Sequence, residues 1–258
     1  MHTAAFPHGA RKHMLTTHSL VLLALIFFAG GLVKGTVGFG LPTIGIGLGA
    51  MVVDIPTAML LIAGPTIATN VWQMWVNGDL RAIVRRLWVF MLAAVWLIPL
   101  GVAAIVYVPA MPYGRLLGLT ILLYSLWTLW GKDRVLPWAQ KPWAGFLAGS
   151  VNAVLTGMTG CFSVPGVMYL RAVGLSKSDL MGAMGMLYLL SAVGMFGSLW
   201  MMGKATTALN YASLAACIPV ATGLVLGTLI QKRLSEALFK RLFLGAFAVL
   251  GLVLMVTG

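Results

Sequence analysis

Long apolar stretches separated by short polar gaps make up nearly the whole chain; the uncharged runs include 87–114, 142–170, 180–203 and 205–231. A bilayer core of roughly 30 Å takes about 20 apolar residues per helix. Only helices or closed barrels satisfy every backbone group there, and a barrel would show short alternating segments. The pattern predicts eight helical segments, at 19–53, 55–77, 86–108, 113–130, 142–170, 180–202, 206–230 and 237–257. Two of them differ from the rest. The stretch 19–53 is glycine-rich and interrupted by Lys34 and Pro42, and 142–170 is interrupted around Thr156–Pro165. The order is an interrupted segment followed by three plain helices, twice over.

The interrupted segments resemble each other. The first carries Lys34-Gly35-Thr36-Val37-Gly38-Phe39-Gly40-Leu41-Pro42, the second Thr156-Gly157-Met158-Thr159-Gly160-Cys161-Phe162-Ser163-Val164-Pro165. Gly35 and Gly157 are 122 residues apart, as are Gly38 and Gly160, and Pro42 and Pro165 are 123 apart. Such duplication is a signature of transporters built from two repeats. The expected organisation is a disordered N-terminal tail at 1–18, a first transmembrane repeat at 19–131 and a second at 141–258. The tail holds all four histidines, but their spacings of six, five and five residues do not make a metal site. No small-residue cleavage site follows a short apolar region, so a removed signal peptide is not expected.

Composition sharpens this picture. The chain is 60% hydrophobic and 9% charged, against roughly 25% charged in soluble domains, which excludes a soluble nucleic-acid-binding protein, a coiled coil and a disordered chain. The net charge of +12 comes from 17 Lys+Arg against 5 Asp+Glu, and the basic residues sit mostly in the gaps, where cytoplasmic loops collect them. If each interrupted segment crosses once, the two faces hold nine and seven basic residues. If each is a hairpin returning to its own side, one face holds twelve: Arg81, Arg85, Arg86, Lys132, Arg134, Lys141, Arg171, Lys177, Lys232, Arg233, Lys240 and Arg241. The other holds four: Arg11, Lys12, Arg115 and Lys204. The second distribution obeys the positive-inside rule. Each repeat then crosses three times, the repeats are inverted relative to each other, and both termini are non-cytoplasmic. The expected fold is an all-α polytopic membrane protein of two inverted repeats, each a broken or re-entrant helical hairpin plus three transmembrane helices.

No carboxylate lies within an apolar run: Asp54, Asp79, Asp133, Asp179 and Glu236 are at run ends or in gaps. That removes paired-carboxylate catalysis and the usual intramembrane proton relay, and the histidines stand only in the tail. Cys161 and Cys217 lack metal-ligand spacing. No enzyme, cofactor or metal centre is expected. Lys34 is the basic residue inside an apolar stretch. It either snorkels to the interface or meets an anionic substrate. Gly35, Gly38 and Gly40 free the backbone to break the helix there, and helix N-termini attract anions. Thr36, Thr156, Thr159 and Ser163, with Gly157 and Gly160, add hydroxyl and backbone donors on the two breaks; singly, such hydroxyls ordinarily bond their own helix. Asn70 and Gln73 share one helix face and serve either interhelical bonding or a polar cavity. Gly223-x-x-x-Gly227 suits close helix packing, and tryptophans near run ends form an interfacial belt.

The stretch Gly30–Pro42 resembles the glycine-rich motif of the sulfite exporter TauE/SafE family, in a branch with a basic residue before the first motif glycine and Gly-Phe-Gly after it. Thr156–Gly160 with Pro165 resembles the second copy of that motif, and Asn70-x-x-Gln73 followed by Arg81 fits the pattern after the first hairpin. The second copy departs at Thr156, Cys161 and Ser163. The resemblance covers residues 19–258 and implies transport of sulfite, an organosulfonate or a related organic anion across a bacterial inner membrane. The substrate-binding candidates are Lys34, Gly35, Thr36, Gly38, Gly40, Asn70, Gln73, Thr156, Gly157, Thr159, Gly160 and Ser163. Expected partners are a small anionic substrate and the lipid bilayer, with a homodimer left open and no nucleic acid. A passive anion channel and a lipid-handling membrane protein are the alternatives.

Overall fold

The computed structural model describes residues 17–130, 135–231 and 236–257, with the side chains of 236–240 and 242 left out. Residues 1–16 of the expected tail lie outside this set. The described residues form helices and no strand. The first half runs α1 (Thr17–Val37), α2 (Leu41–Gly49), α3 (Ile55–Val76), α4 (Leu80–Trp96), α5 (Ile98–Tyr107) and α6 (Tyr113–Trp130). After a short 3-10 turn at Pro137–Gln140 come α7 (Pro142–Thr159), α8 (Gly166–Ala172), α9 (Lys177–Met201), α10 (Thr207–Ala215), α11 (Cys217–Gln231) and α12 (Glu236–Thr257). Five stretches are long and apolar enough to cross a membrane: Thr17–Val37, Ile55–Val76, Leu80–Tyr107, Lys177–Met201 and Thr207–Gln231.

Helix ends follow local chemistry. Asp54 caps α3 by accepting from the Thr57 N–H at 3.0 Å, and Asp79 caps α4 by accepting from Arg81 and Ala82. Ser176 and Thr206 cap α9 and α10. Such caps satisfy N–H groups that the helix itself leaves unpaired. Two of the acids that the sequence places at run ends, Asp54 and Asp79, are therefore caps.

Two segments expected to be plain helices are each broken. The stretch 86–108 divides at Leu97 into α4 and α5, and 206–230 divides at Ala216 into α10 and α11. Pro99 and Pro219 stand just beyond the breaks. Each lacks the N–H that would continue the ladder, and its ring clashes with the preceding turn.

Both interrupted segments are hairpins. Beside Gly30 lie Leu41 and Ile44, and beside Gly49 lies Leu23, so α2 runs back along α1. In the second hairpin the Asn152 Oδ1 accepts from the Gly166 N–H at 2.9 Å, and Gly145 faces the Tyr169 hydroxyl, so α8 runs back along α7. Arg86 and Gln140 both donate to the Val173 carbonyl, which brings the start and end of this hairpin to one face.

Packing pairs the two halves reciprocally. The helix α1 packs on α11, and α7 packs on α4 and α5; α3 packs on α9, and α6 on α12. Glycine makes the closest of these contacts. A Cβ on Gly31, Gly35, Gly223 or Gly227 would overlap a backbone carbonyl oxygen across the α1–α11 seam. Gly101, Gly149 and Gly157 do the same between α7 and α4–α5. In lipid, where apolar attraction between helices is absent, such small-residue seams let backbones approach and gain dispersion contact. The pair α3–α9 is antiparallel: Gly78 adjoins Asp179, Gly182 adjoins Asn77, and Gly185 adjoins Gln73 and Met74. Trp72, Trp75, Trp130 and Trp200 are exposed, as residues of an interfacial belt are.

Candidate functional site

The first break is Gly38-Phe39-Gly40. Gly38 (φ 84°) and Gly40 (φ 99°) hold backbone that other residues rarely adopt. The Gly38 N–H closes α1 on the Lys34 carbonyl at 2.8 Å, and Gly40 opens α2. The second break runs from Gly160 (φ 71°) to Pro165, with the Gly160 N–H on the Thr156 carbonyl at 2.7 Å.

Lys34 is 5% exposed, and its ammonium donates to the Asn70 Oδ1 at 2.6 Å. The Asn70 amide N–H donates in turn to the Thr66 carbonyl at 2.8 Å. The lysine therefore stays inside the protein rather than reaching the interface. Its partner is a neutral amide, and its other two N–H donors have no partner among the described residues. Gln73 bonds the Met181 carbonyl of α9 at 3.0 Å. The structure thus brings Lys34 and Asn70 together and uses Gln73 to tie α3 to α9.

The remaining candidates sort by what they touch. Thr36 bonds the Val33 and Leu32 carbonyls of its own helix. Thr159 bonds the Leu155 carbonyl and accepts from the Cys161 N–H, and Thr156 bonds the Cys161 carbonyl, so these two hydroxyls shape the second turn. Gly35 and Gly157 lie in the two glycine seams, against α11 and α5 respectively. Ser163 shares a hydrogen bond with the Tyr188 hydroxyl at 2.9 Å, and both are 1% exposed.

These groups lie at informative depths. Gly160 rests against Met59 near the start of α3, whereas Gly38 rests against Met181, which Gln73 bonds near the end of α3. The nearest neighbour of Gly160 is Ile46, six residues along α2 from Gly40, so at about 1.5 Å per helical residue the two breaks lie about 9 Å apart along α2. In the antiparallel register of α3 and α9, with Gly182 at Asn77 and Gly185 at Gln73, Tyr188 falls level with Asn70.

The sulfite exporter TauE/SafE family model matches residues 22–254. The chain belongs to the sulfite exporter TauE/SafE family. It is a multi-pass membrane transporter rather than an enzyme. No curated protein and no solved structure matches the chain.

Several TauE/SafE residues at the breaks escaped the sequence. Asn152 spans the second hairpin, accepting from Gly166 and donating to the Thr156 hydroxyl at 3.4 Å. An amide in an apolar run opposite a threonine one turn on was a usable signal. Tyr188 and Tyr124 are fully buried; the Phe162 ring lies 5.9 Å from the former and the Phe39 ring 6.2 Å from the latter. No spacing pointed to either. Arg171, counted with the loop cations, lies over the Trp127 ring at 5.6 Å in the last turn of α8. A lipid-facing groove of about 610 Å³ beside Trp88, Leu92, Trp96 and Phe146 contains none of the candidates.

Proposed function

We propose that this TauE/SafE protein moves a small anion, sulfite or an organosulfonate, across a bacterial inner membrane by alternating access, binding it in the layer of Lys34, Asn70, Ser163 and Tyr188. The observation that carries this reading is a buried ammonium with one neutral partner, Asn70, and two N–H donors without a partner among the described residues, Asn70 standing level with Tyr188 in the α3–α9 register. A buried charge is disfavoured unless a counter-charge accompanies it, and an anion supplies one. Arg81, Arg85, Arg86, Lys141 and Lys177 begin or precede helices at the face where the α3–α4 and α8–α9 loops meet, and we take that face as cytoplasmic.

Alternating access is supported by reciprocity. Each hairpin packs on the broken third segment of the other half, and each tip glycine rests on a methionine of the other half: Gly38 on Met181, and Gly160 on Met59. Both the glycines and the methionines are 122 residues apart. Equivalent helices α3 and α9 run antiparallel, as repeats inverted about an axis in the membrane plane require. Rocking one half against the other exposes the layer to either side.

The test is anion affinity of purified Lys34→Met, with the fold checked by size exclusion. Met keeps the apolar stem and removes the charge. Loss of a desolvated charge contact costs about 2–5 kcal/mol, so sulfite binding should weaken at least tenfold while the protein elutes as wild type. Unchanged affinity would place the site elsewhere.

A further inference from the structure

Two loops in equivalent positions differ in what they touch. The helices α3 and α9 start 122 residues apart and end 125 apart, because α9 is three residues longer. Gly78-Asp79 after α3 thus corresponds to Gly203-Lys204 after α9, and both glycines have positive φ, 74° and 70°. The two turns share this left-handed glycine, entered from extended Asn77 in the first and from Met202 (φ −87°, ψ 10°) in the second.

The first turn is interlocked. The Gly78 N–H donates to the Ser178 hydroxyl at 2.9 Å, and the Asp79 N–H donates to the Asp179 carboxylate at 3.1 Å. Asp179 is itself fixed by the Ser176 hydroxyl at 2.7 Å, and a Cβ on Gly78 would lie 2.9 Å from the Asp179 Cα. Among the described residues the second turn is not interlocked. A Cβ on Gly203 would meet nothing within 4 Å, and the Lys204 N–H folds back onto the Leu199 carbonyl at 2.9 Å. One complementary residue exists: Thr57 stands at the position of Asp179, whereas the position of Ser178 is taken by Pro56, which offers Gly203 no hydroxyl. Asp54 and Thr57, which correspond to Ser176 and Asp179 at an offset of 122, carry the same cap with the chemical roles exchanged: the Thr57 hydroxyl donates to the Asp54 carboxylate at 2.7 Å.

We infer that the Gly78-Asp79 and Ser178-Asp179 interlock is the latch that closes the cytoplasmic face in this conformation, and that Gly203-Lys204 closes on Asp54-Thr57 to latch the opposite face in the other. This rests on the alternating-access reading above. Two halves with the same fold and exchanged conformations should make one latch and break its counterpart, and the two loops are in those two conditions. The second latch also has complementary charge, with the Lys204 ammonium facing the Asp54 carboxylate when closed. Interlocks of one or two hydrogen bonds suit the role, since each state must remain reachable.

The test uses the full chain with Cys161→Ser and Cys217→Ser. One cysteine pair, Asp79→Cys with Ser178→Cys, locks the first face; another, Thr57→Cys with Lys204→Cys, reports the second latch. A short bis-methanethiosulfonate should link the second pair poorly while Ser178 and Asp179 are intact; the first pair replaces Ser178 itself and serves only to lock that face. Adding Ser178→Ala or Asp179→Ala to the second pair should raise its linking roughly fivefold, the population shift expected from losing one hydrogen bond in one state only. Equal linking with and without the latch substitutions overturns the proposal. Linking the first pair in proteoliposomes should stop sulfite flux, and reductant should restore it; flux that persists through the link also overturns it. If the unlinked parent moves no sulfite, the anion-transport reading fails, and the linking ratio still judges the latch.

Discussion

At the residue scale, the chemistry concentrates in one lysine and the amide that holds it. The sequence marked Lys34 because no acid stands in any apolar run, and the structure keeps it inside, against Asn70. Asn70 is the more informative residue to change. Replacing its amide oxygen with a carboxylate keeps the hydrogen bond to the ammonium and adds the counter-charge an anion would otherwise bring. Asn70→Asp should therefore fold at least as stably as wild type and lose sulfite binding by one to two orders of magnitude, an effect of about 1.5–3 kcal/mol for a competing close charge pair. Binding calorimetry beside thermal unfolding checks this. Retained affinity with unchanged stability would mean that Lys34 is a structural cation. Of the hydroxyl candidates, Ser163 reaches a side chain of another helix, whereas Thr36, Thr156 and Thr159 bond backbone, as polar residues in helices commonly do.

At the scale of elements, the hairpins were legible and the kinks were not. Glycine clusters with a following proline announce a break, and the distribution of basic residues distinguished a hairpin from a crossing. The third segment of each half read as plain helix because its apolar run is continuous across Leu97 and Ala216. Only Pro99 and Pro219 betray the breaks, and a proline alone also occurs in unbroken helix, as Pro65 does in α3. The glycines of the motif divide into two roles that spacing could not separate. Gly35 and Gly157 lie in seams, whereas Gly38 and Gly160 hold left-handed backbone at the tips. The tips give the sharper test. A β-branched residue at positive φ is strongly strained, and at these positions its side chain would collide with Met181 or Ile46. Gly38→Val and Gly160→Val should each reach the membrane yet lose at least nine-tenths of sulfite flux, strain of about 1–3 kcal/mol being enough to displace a tip. Normal flux in both variants would reduce these glycines to packing residues.

At the scale of the whole molecule, the glycine seams and the kinks at Leu97 and Ala216 stand in the arrangement that the proposed duplication requires, with α1 on α11 and α7 on α4 and α5. Depth was not legible, because helix length between breaks decides it, and the sequence does not mark where helix ends inside an apolar run. The proposed inversion puts the chain's end on the face opposite the basic cluster. Gly118, near the start of α6, packs beside Met255, near the end of α12, so these two helices run antiparallel. A reporter fused after Gly258 that works only in the cytoplasm should stay silent, whereas activity there would contradict the hairpin topology.

The central claim is that the two halves alternate around one anion site, and counterflow tests it most directly. Proteoliposomes preloaded with unlabelled sulfite are diluted into a trace of labelled sulfite, and internal label is followed over time. An alternating carrier exchanges one anion for another, so label should accumulate transiently above its external level, saturate with sulfite concentration and vanish in Lys34→Met. Label that only equilibrates, at a rate linear in concentration and unchanged by preloading, would mean a passive pore and contradict the account.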